Sequence, residues 1–390
     1  MINWVFHISF IAMLAFVAFR FVKADLPGWV FWASLIVKLA AGVVLGLIFY
    51  RYYGSGDTIN FFEYAKNLEQ FNEESQPRTQ FFLFILKPII VFSGESYWIT
   101  SLYFSLISFL CFWYGTKVFS SFYPQLKWIS AACFLFIPSI VFWSSGIIKD
   151  SLASASLIIA VVSSFKVYKK NKIQLLDILL ILVSAFILLK IKHYLLIAFI
   201  LFAGVLFTMM LFRKLSSLWR FASLIVIVAA TFTTQFIHPY LEIDRIPWTL
   251  HQNNQAILEK SDSEDELNIE LENETWQEVL SNVPKALHAG LFRPSLYDPT
   301  PIWGWIHRIE NLMLTILIIM SLILSLKLKP QIDWPLFLAS LTGILLLAIM
   351  LPLSTPNFGT LVRYKNAYMP YLFLISSILP YRYLTSKTEE

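Results

Sequence analysis

The sequence is poor in charge, in cysteine and in internal repetition. Charged residues make up 14% of its 390 residues, whereas 57% are hydrophobic, and this balance excludes an ordinary soluble domain. Its two cysteines, Cys111 and Cys133, lie inside apolar runs and match no metal-ligand spacing. Because no basic stripe with interleaved aromatic residues is present, nucleic acid is not expected as a partner. These features indicate an integral membrane protein.

The chain instead contains many apolar runs close to the roughly 20 residues that a helix needs to cross a bilayer. The alternation of a membrane β-barrel is missing, so the sequence predicts an all-α, polytopic transmembrane helical bundle. The N-terminal run lacks the basic region and cleavage site of a signal peptide, and is therefore expected to stay in the mature protein. Run lengths predict about eleven spans: 3–22, 30–50, 97–116, 126–144, 147–165, 173–190, 194–212, 219–238, 309–328, 333–352 and 367–383.

Basic residues in short loops predict the orientation of the spans. The densest cluster lies in the loop that follows the fifth predicted span, at residues 166–172, and the next lies at 213–220, so both loops are expected in the cytoplasm. This places the N-terminus outside and the C-terminus inside. The assignment requires that 80–94 does not cross, and we expect this because the run is short and Lys87-Pro88 interrupts it.

Polar material is concentrated in segments that this topology places outside. We divide the chain into a transmembrane bundle (1–238, including outer loop 51–96 with its juxtamembrane helices), an extracytoplasmic loop (239–308) and C-terminal transmembrane helices (309–390). The segment 239–308 contains 12 of the 25 acidic residues against five Lys and Arg, which is typical of a hydrated surface. It also predicts an amphipathic helix, whose apolar face would contain Leu267, Leu271, Trp276, Val279 and Leu280.

The stretch "GSGDTINFFEYA" places Asp57 directly after the second predicted span. Asp57 is suited to be the N-cap of a following helix, and apolar residues recur at helical spacing from Phe61 onward. This pattern predicts an amphipathic helix lying on the outer leaflet. A second interpretation makes Asp57 a general base at the mouth of a membrane cavity. The two roles are compatible.

Two outer turns combine charge with broken apolar runs. In "FIPSIVFWSSGIIKDSL", Lys149 and Asp150 open a span, where they would either pair with each other or place a lysine at a helix N-terminus that binds phosphate. In "LLKIKHYLL", Lys190, Lys192 and His193 oppose the positive-inside bias. Snorkelling explains such lysines in the ordinary way, and anion binding is the functional alternative.

Two later segments add cations on the predicted outer face. "GLFRPSLYDPTPIWGW" contains Arg293 in a Pro- and Trp-rich interfacial loop. "STPNFGTLVRYKNAYMP" contains Arg363, Tyr364 and Lys365 just before the last predicted span. Arg363 is the strongest candidate for a lipid-linked phosphate because a guanidinium matches phosphate oxygens bidentately. Lys365 fits anchoring to lipid head groups equally well.

Together "GDTINFFEYA", "PSIVFWSSGIIKDSL" and "NFGTLVRYKNAYMPYL" resemble bacterial multi-pass glycosyltransferases of the GT-C superfamily and related surface-polysaccharide polymerases. The resemblance implies sugar transfer from a polyprenyl phosphate or pyrophosphate on the outer face of the bacterial inner membrane. It implies Asp57 as catalytic base, with Lys149 and Arg363, and less directly Arg293, at the lipid phosphate. The chain departs from the pattern because Asp57 has no adjacent acid and follows the second span instead of the first.

The expected function is therefore glycosyl transfer or polymerisation, with a glycan, lipid or protein as acceptor and membrane lipids as surroundings. The candidate phosphate-binding or substrate-binding residues are Lys149, Asp150, Lys190, His193, Arg293, Arg363 and Tyr364. No cofactor is required, because a phosphate leaving group is stabilised by fixed cations. A divalent metal would be compatible if Asp57 and Asp150 approach each other. The alternatives are a transporter or lipid-linked-glycan flippase, and a non-catalytic partner in polysaccharide assembly or export.

Overall fold

A computed structural model describes residues 4–67, 77–211, 244–261, 265–298, 304–328 and 332–387. Within these ranges all regular structure is helical apart from an isolated antiparallel bridge between Glu266 and Asn357. The predicted all-α class is confirmed. The predicted span 219–238 lies outside the described residues.

The helices are numbered in chain order. They are α1 (Trp4–Phe21), α2 (Gly28–Ile48), α3 (Asp57–Lys66), α4 (Pro77–Phe92), α5 (Tyr97–Phe122), α6 (Lys127–Ala131), α7 (Pro138–Trp143), α8 (Lys149–Lys170), α9 (Leu175–Ile191), α10 (His193–Leu211), α11 (Arg245–Leu258), α12 (Trp276–Phe292), α13 (Trp305–Leu328), α14 (Trp334–Ser354), α15 (Phe358–Lys365) and α16 (Met369–Lys387).

Among the described residues, seven helices are long and apolar enough to cross a membrane. They are α1, α2 with the π-helical turn that continues it to Tyr53, α5, α8, α10, α13 and α14. The predicted span 126–144 differs, because α6, a π-helical turn at Ala132–Phe136 and α7 divide it into short pieces. A multi-pass helical membrane protein is thus supported, while the count of eleven spans and their orientation stay predictions.

Helix α4 contains the run that was expected not to cross. Its 16 residues continue through Pro88, so the expectation that Lys87-Pro88 interrupts the run is wrong. Phe81 on α4 contacts Phe186 on α9 edge to face, with 5.6 Å between ring centroids. The helix is still shorter than the roughly 20 residues of a comfortable span. Its non-crossing placement stays a prediction.

The chain divides into two compact units. Unit 1 contains 1–169 and 173–196, and unit 2 contains 170–172 and 197–390. In unit 1, helix α2 packs closely on α5. A Cβ on Gly42 would meet the hydroxyl of Ser105, and Ser101 Oγ donates to Gly42 O at 3.0 Å. Small residues at this contact let the two helix backbones approach each other.

Unit 2 is built around α12 lying against α14. The backbone of Gly290 in α12 abuts that of Ala348 in α14, leaving no room for a Cβ. The predicted amphipathic helix of the acidic segment begins only at Trp276, where Thr275 Oγ1 caps it by accepting from Glu278 N at 3.3 Å. The helix itself is confirmed.

The predicted face of that helix is wrong. Leu267 and Leu271 precede it and are buried, Val279 is buried within it, and Leu280 is 63% exposed.

The segment before α12 is held by one buried amide. Asn254 in α11 donates from Nδ2 to Ile269 O at 2.9 Å and to Leu353 O at 2.8 Å, while its Oδ1 accepts from Leu271 N at 3.3 Å. Non-helical backbone needs such partners when it is buried. Asn254 therefore ties α11 to the extended segment and to the end of α14.

Candidate functional site

Asp57 is the first residue of α3 and lies half-buried in its first turn. The N-cap is Gly56, whose carbonyl accepts from Ile59 N at 3.1 Å and Asn60 N at 3.0 Å and whose φ is 139°. The prediction that Asp57 caps the helix is therefore wrong by one position. A carboxylate in the first turn is still favoured by the positive end of the helix dipole.

The apolar face of α3 packs on protein. Phe61 contacts Phe82 of α4 at 5.2 Å between ring centroids, and Phe62 contacts Tyr97 of α5 at 5.5 Å. The hydroxyls of Thr58 and Tyr97 are hydrogen-bonded at 2.7 Å. The expectation that this face lies on the outer leaflet is therefore corrected, because its aromatic residues are buried against neighbouring helices.

Lys149, the first residue of α8, lies beside α3. Its Nζ donates to Thr79 Oγ1 at 2.6 Å and lies 4.8 Å from the centroid of the Phe61 ring. Phe61 follows Asp57 by one helical turn, and residues four apart lie on the same face of a helix. Unit 1 thus brings the predicted base and the predicted phosphate-binding lysine onto neighbouring elements.

Asp150 forms a buried ion pair with Lys192, which follows α9. Lys192 is a partner of Asp150 that the sequence did not indicate, and the snorkelling interpretation is wrong for Lys192, since both partners are buried. Lys190 is exposed, and its Nζ lies 5.8 Å from the ring of Phe186. His193 begins α10 with its ring centroid 6.2 Å from that of Tyr194.

The turn before α8 is held by a lysine that our sequence reading did not single out. Lys38 in α2 is buried, donates to Ser144 Oγ and lies 4.3 Å from the centroid of the Phe112 ring. Ser108 Oγ donates to Ser144 O at 2.7 Å, and Ser105 Oγ accepts from Gly146 N at 3.0 Å. A lone cation in the middle of an apolar run was the available signal.

In unit 2, Arg293 is bound by groups of the chain itself. Its Nε and Nη2 donate to Asp298 Oδ1 at 3.1 and 2.5 Å, and its Nη1 donates to Leu267 O at 2.9 Å. Burial raises the pKa of Asp298, but hydrogen bonds from Arg293 and Ser295 outweigh it and leave that pKa below its ordinary value. The predicted phosphate ligand thus binds a carboxylate of its own loop.

Helix α15 contains the other predicted cations. Lys365 is buried and donates to Arg293 O at 2.8 Å and to Asn311 Oδ1 at 3.1 Å, so the expectation that it anchors to lipid head groups is wrong. Burial lowers its pKa to about 7, against the raising influence of Glu310. Arg363 and Tyr364 lie half-buried in the last turn of the same helix.

The first turns of α13 contain polar residues that our sequence reading missed. Arg308, Glu310 and Asn311 are all buried, and Asn311 Nδ2 donates to Pro294 O at 3.0 Å. The stretch "WIHRIEN" at the start of an apolar run was the signal, because charges in a span mark contacts inside the bundle. Arg308 and Asn311 thus donate to backbone carbonyls of loop 293–298.

Three or more His, Cys, Asp or Glu side chains do not come together at metal-binding distance anywhere in the described ranges. Asp150, which with Asp57 was the predicted pair for a divalent ion, is bound by Lys192.

The chain matches no protein-family model, no curated protein and no solved structure. The resemblance to the GT-C superfamily therefore stays a prediction. Any functional conclusion depends on the residues themselves.

Proposed function

We propose that the chain is an integral-membrane glycosyltransferase or polysaccharide polymerase. It would take a sugar from a polyprenyl phosphate or pyrophosphate on the extracytoplasmic face of a bacterial inner membrane. One observation carries the proposal: Lys149 at the start of α8 contacts Phe61, whose helix begins one turn earlier with Asp57. An acid and a phosphate-binding cation on adjoining elements are what this transfer needs.

In the proposed reaction, Asp57 accepts the proton of an acceptor hydroxyl as its oxygen attacks the anomeric carbon of the donor. The bond from that carbon to the phosphate oxygen breaks, and the phosphate leaves with the electron pair. Lys149 stabilises the charge that develops on the leaving oxygen. No general acid is required, because a phosphate leaves as an anion.

The ion pair next to Lys149 supports this division of roles. Asp150 follows Lys149 directly and would otherwise place a negative charge beside any bound phosphate. Since Lys192 balances Asp150, the carboxylate does not cancel the attraction of Lys149 and the α8 N-terminus for an anion. Arg363 and Tyr364 are also proposed to bind phosphate, because a guanidinium and a hydroxyl group can donate hydrogen bonds to phosphate oxygens.

Glycan analysis of an Asp57→Asn strain tests the proposal. We expect the polymer or glycoconjugate to be lost, because an amide cannot accept the proton, with at least about a hundredfold decrease in transfer rate. The matched control is Glu63→Gln, which removes an exposed carboxylate from the same helix and should leave the product unchanged. Normal product from an Asp57→Asn strain would remove Asp57 from catalysis.

A flippase for lipid-linked glycans is the second candidate, and the buried cation Lys38 favours it, because intramembrane charges also mark transport pathways. Purified protein in detergent distinguishes the two. A transferase elongates an acceptor with a polyprenyl-linked sugar in the absence of a bilayer, whereas a flippase produces no new glycosidic bond.

A further inference from the structure

Arg308 differs from the other buried cations of unit 2. It lies in the first turn of α13 and is only 7% exposed. Its Nη2 donates to the backbone carbonyl of Asp298, and the guanidinium carbon lies 4.7 Å from the centroid of the Trp305 ring. Its Nε is buried and has no hydrogen-bond partner among the residues that the structure describes.

Arg308 also has no carboxylate partner within the described ranges. The carboxylate of Asp298 is bound by Arg293, and Glu310 lies 3.7 Å from His307 Nδ1. Burying a guanidinium is costly unless an anion compensates its charge. A buried donor with no acceptor likewise indicates a group that completes the site.

The charges around Arg308 indicate the net charge of that group. The charge of Arg293 is balanced by Asp298, and no carboxylate of the described ranges forms an ion pair with Arg308, so the guanidinium of Arg308 contributes one positive charge to be balanced. A singly charged anion balances this positive charge, whereas a doubly charged phosphate monoester would leave an excess of negative charge. The guanidinium fork matches two oxygens of one group.

The position of Arg308 indicates where the anion comes from. It lies at the end of a helix apolar enough to cross the membrane, and the adjacent Trp305 is half exposed. Tryptophan at the end of a span typically lies at the level of the lipid head groups. Phosphatidylglycerol presents a singly charged phosphodiester at that level.

We propose that Arg308 binds the phosphodiester of an anionic phospholipid, with Trp305 stacked on the other face of the guanidinium. The site is independent of sugar transfer and would exist equally in a flippase. It fixes the first turn of α13 against loop 293–298 at the membrane boundary.

Lipid titration of the purified full-length protein tests the site, with native mass spectrometry and thermal unfolding as readouts. Phosphatidylglycerol is expected to bind and to raise the unfolding temperature, whereas phosphatidylcholine, whose head group adds a cation, binds more weakly. Arg308→Met should weaken phosphatidylglycerol binding about tenfold or more, as expected for a lost charge-assisted hydrogen bond. Arg245→Met, which removes an exposed guanidinium of the same unit, should leave binding unchanged.

Equal binding of phosphatidylglycerol by wild type and Arg308→Met would overturn the proposal. So would stabilisation of the wild type by millimolar glucuronate or inorganic phosphate without stabilisation by the lipid, because the anion would then be a soluble one. If Arg308→Met does not fold, the unfolding temperature of the wild-type protein with different lipids still tests the proposal. Equal stabilisation by phosphatidylglycerol and by diacylglycerol, which has no phosphodiester, would then contradict the site.

Discussion

Asp150 lies in the first turn of α8, and its partner Lys192 lies between α9 and α10. Both are almost fully buried, as is Asp177, which accepts from Lys166 at 2.6 Å. Each pair joins α8 to the α9 region, near opposite ends of α8. Removing one partner of a buried ion pair is strongly destabilising, because the other charge loses its compensation.

Removal of one partner of the Asp150–Lys192 pair is expected to be more damaging than removal of both. Asp150→Asn removes the carboxylate that binds the buried ammonium of Lys192 and should lower the free energy of unfolding by about 3–5 kcal/mol. The double variant Asp150→Leu with Lys192→Met replaces the pair by apolar groups and should be far less destabilising. Denaturant unfolding of the detergent-solubilised variants measures both.

If the single and double variants lose equal stability, the two residues do not interact in the folded protein. The exposed Lys190 provides a control, because Lys190→Met removes a neighbouring cation without a buried partner and should change stability by less than about 0.5 kcal/mol.

The sequence placed the charged residues correctly at breaks between apolar runs, but it did not identify their partners. Lys149 and Asp150 are adjacent in the chain and were natural candidates to pair, yet adjacent residues on a helix do not face each other. Lys192, 42 residues further on, reaches Asp150 through tertiary packing. Side-chain spacing along one segment contains no information about such a contact.

At the scale of elements, the contact between α12 and α14 in unit 2 depends on one glycine. Helix α12 lies against α14 over an extended contact, and Gly290 brings the backbones together at Ala348. The next residues lead into loop 293–298, whose carbonyls are bound by Lys365, Asn311 and Arg308. The position of this loop therefore depends on the fit of α12 against α14.

Gly290→Ala is expected to separate the two helices, because the new methyl group would overlap the Ala348 backbone. The cost should be about 1–3 kcal/mol of unfolding free energy, the usual range for overpacking. Thermal unfolding of the solubilised protein measures it. Ser281→Ala, on an exposed position of the same helix, is the control, and equal stability of the two variants would contradict the close contact.

The positions of helices were easier to predict than what covers their apolar faces. The apolar periodicity of α3 predicted the helix correctly, but a buried aromatic face has the same spacing whether lipid or protein covers it. The broken stretch 126–144 shows the reverse problem, since its composition suits a span while a π-helical turn and Pro138 divide it. Hydropathy counts apolar residues and does not report local backbone geometry.

At the scale of the whole molecule, the proposed orientation leads to a labelling experiment. In a background with both cysteines replaced by alanine, single cysteines are introduced at the exposed positions Glu63 and Lys172. An impermeant maleimide should label Glu63→Cys in intact spheroplasts, and should label Lys172→Cys only after lysis, because the lysine-rich loop is expected to be cytoplasmic.

If Glu63→Cys is protected until lysis while Lys172→Cys behaves as expected, α4 crosses the membrane and the N-terminus lies inside. Asp57 would then face the cytoplasm, and transfer on the outer face could not use it. Labelling of Lys172→Cys in intact spheroplasts would instead reverse the assigned orientation.

The amide of Asn254 also determines when unit 2 can be completed during synthesis. Its acceptor Leu353 O lies 99 residues later in the chain. At a translation rate of about 5–20 residues per second, this gap amounts to about 5–20 seconds. During that interval α11 is complete and the acidic segment after it is being synthesised, while the end of α14, to which Asn254 ties them, has not yet been made. Nascent unit 2 is therefore an unfinished fold during this interval, and chaperones and proteases can act on it.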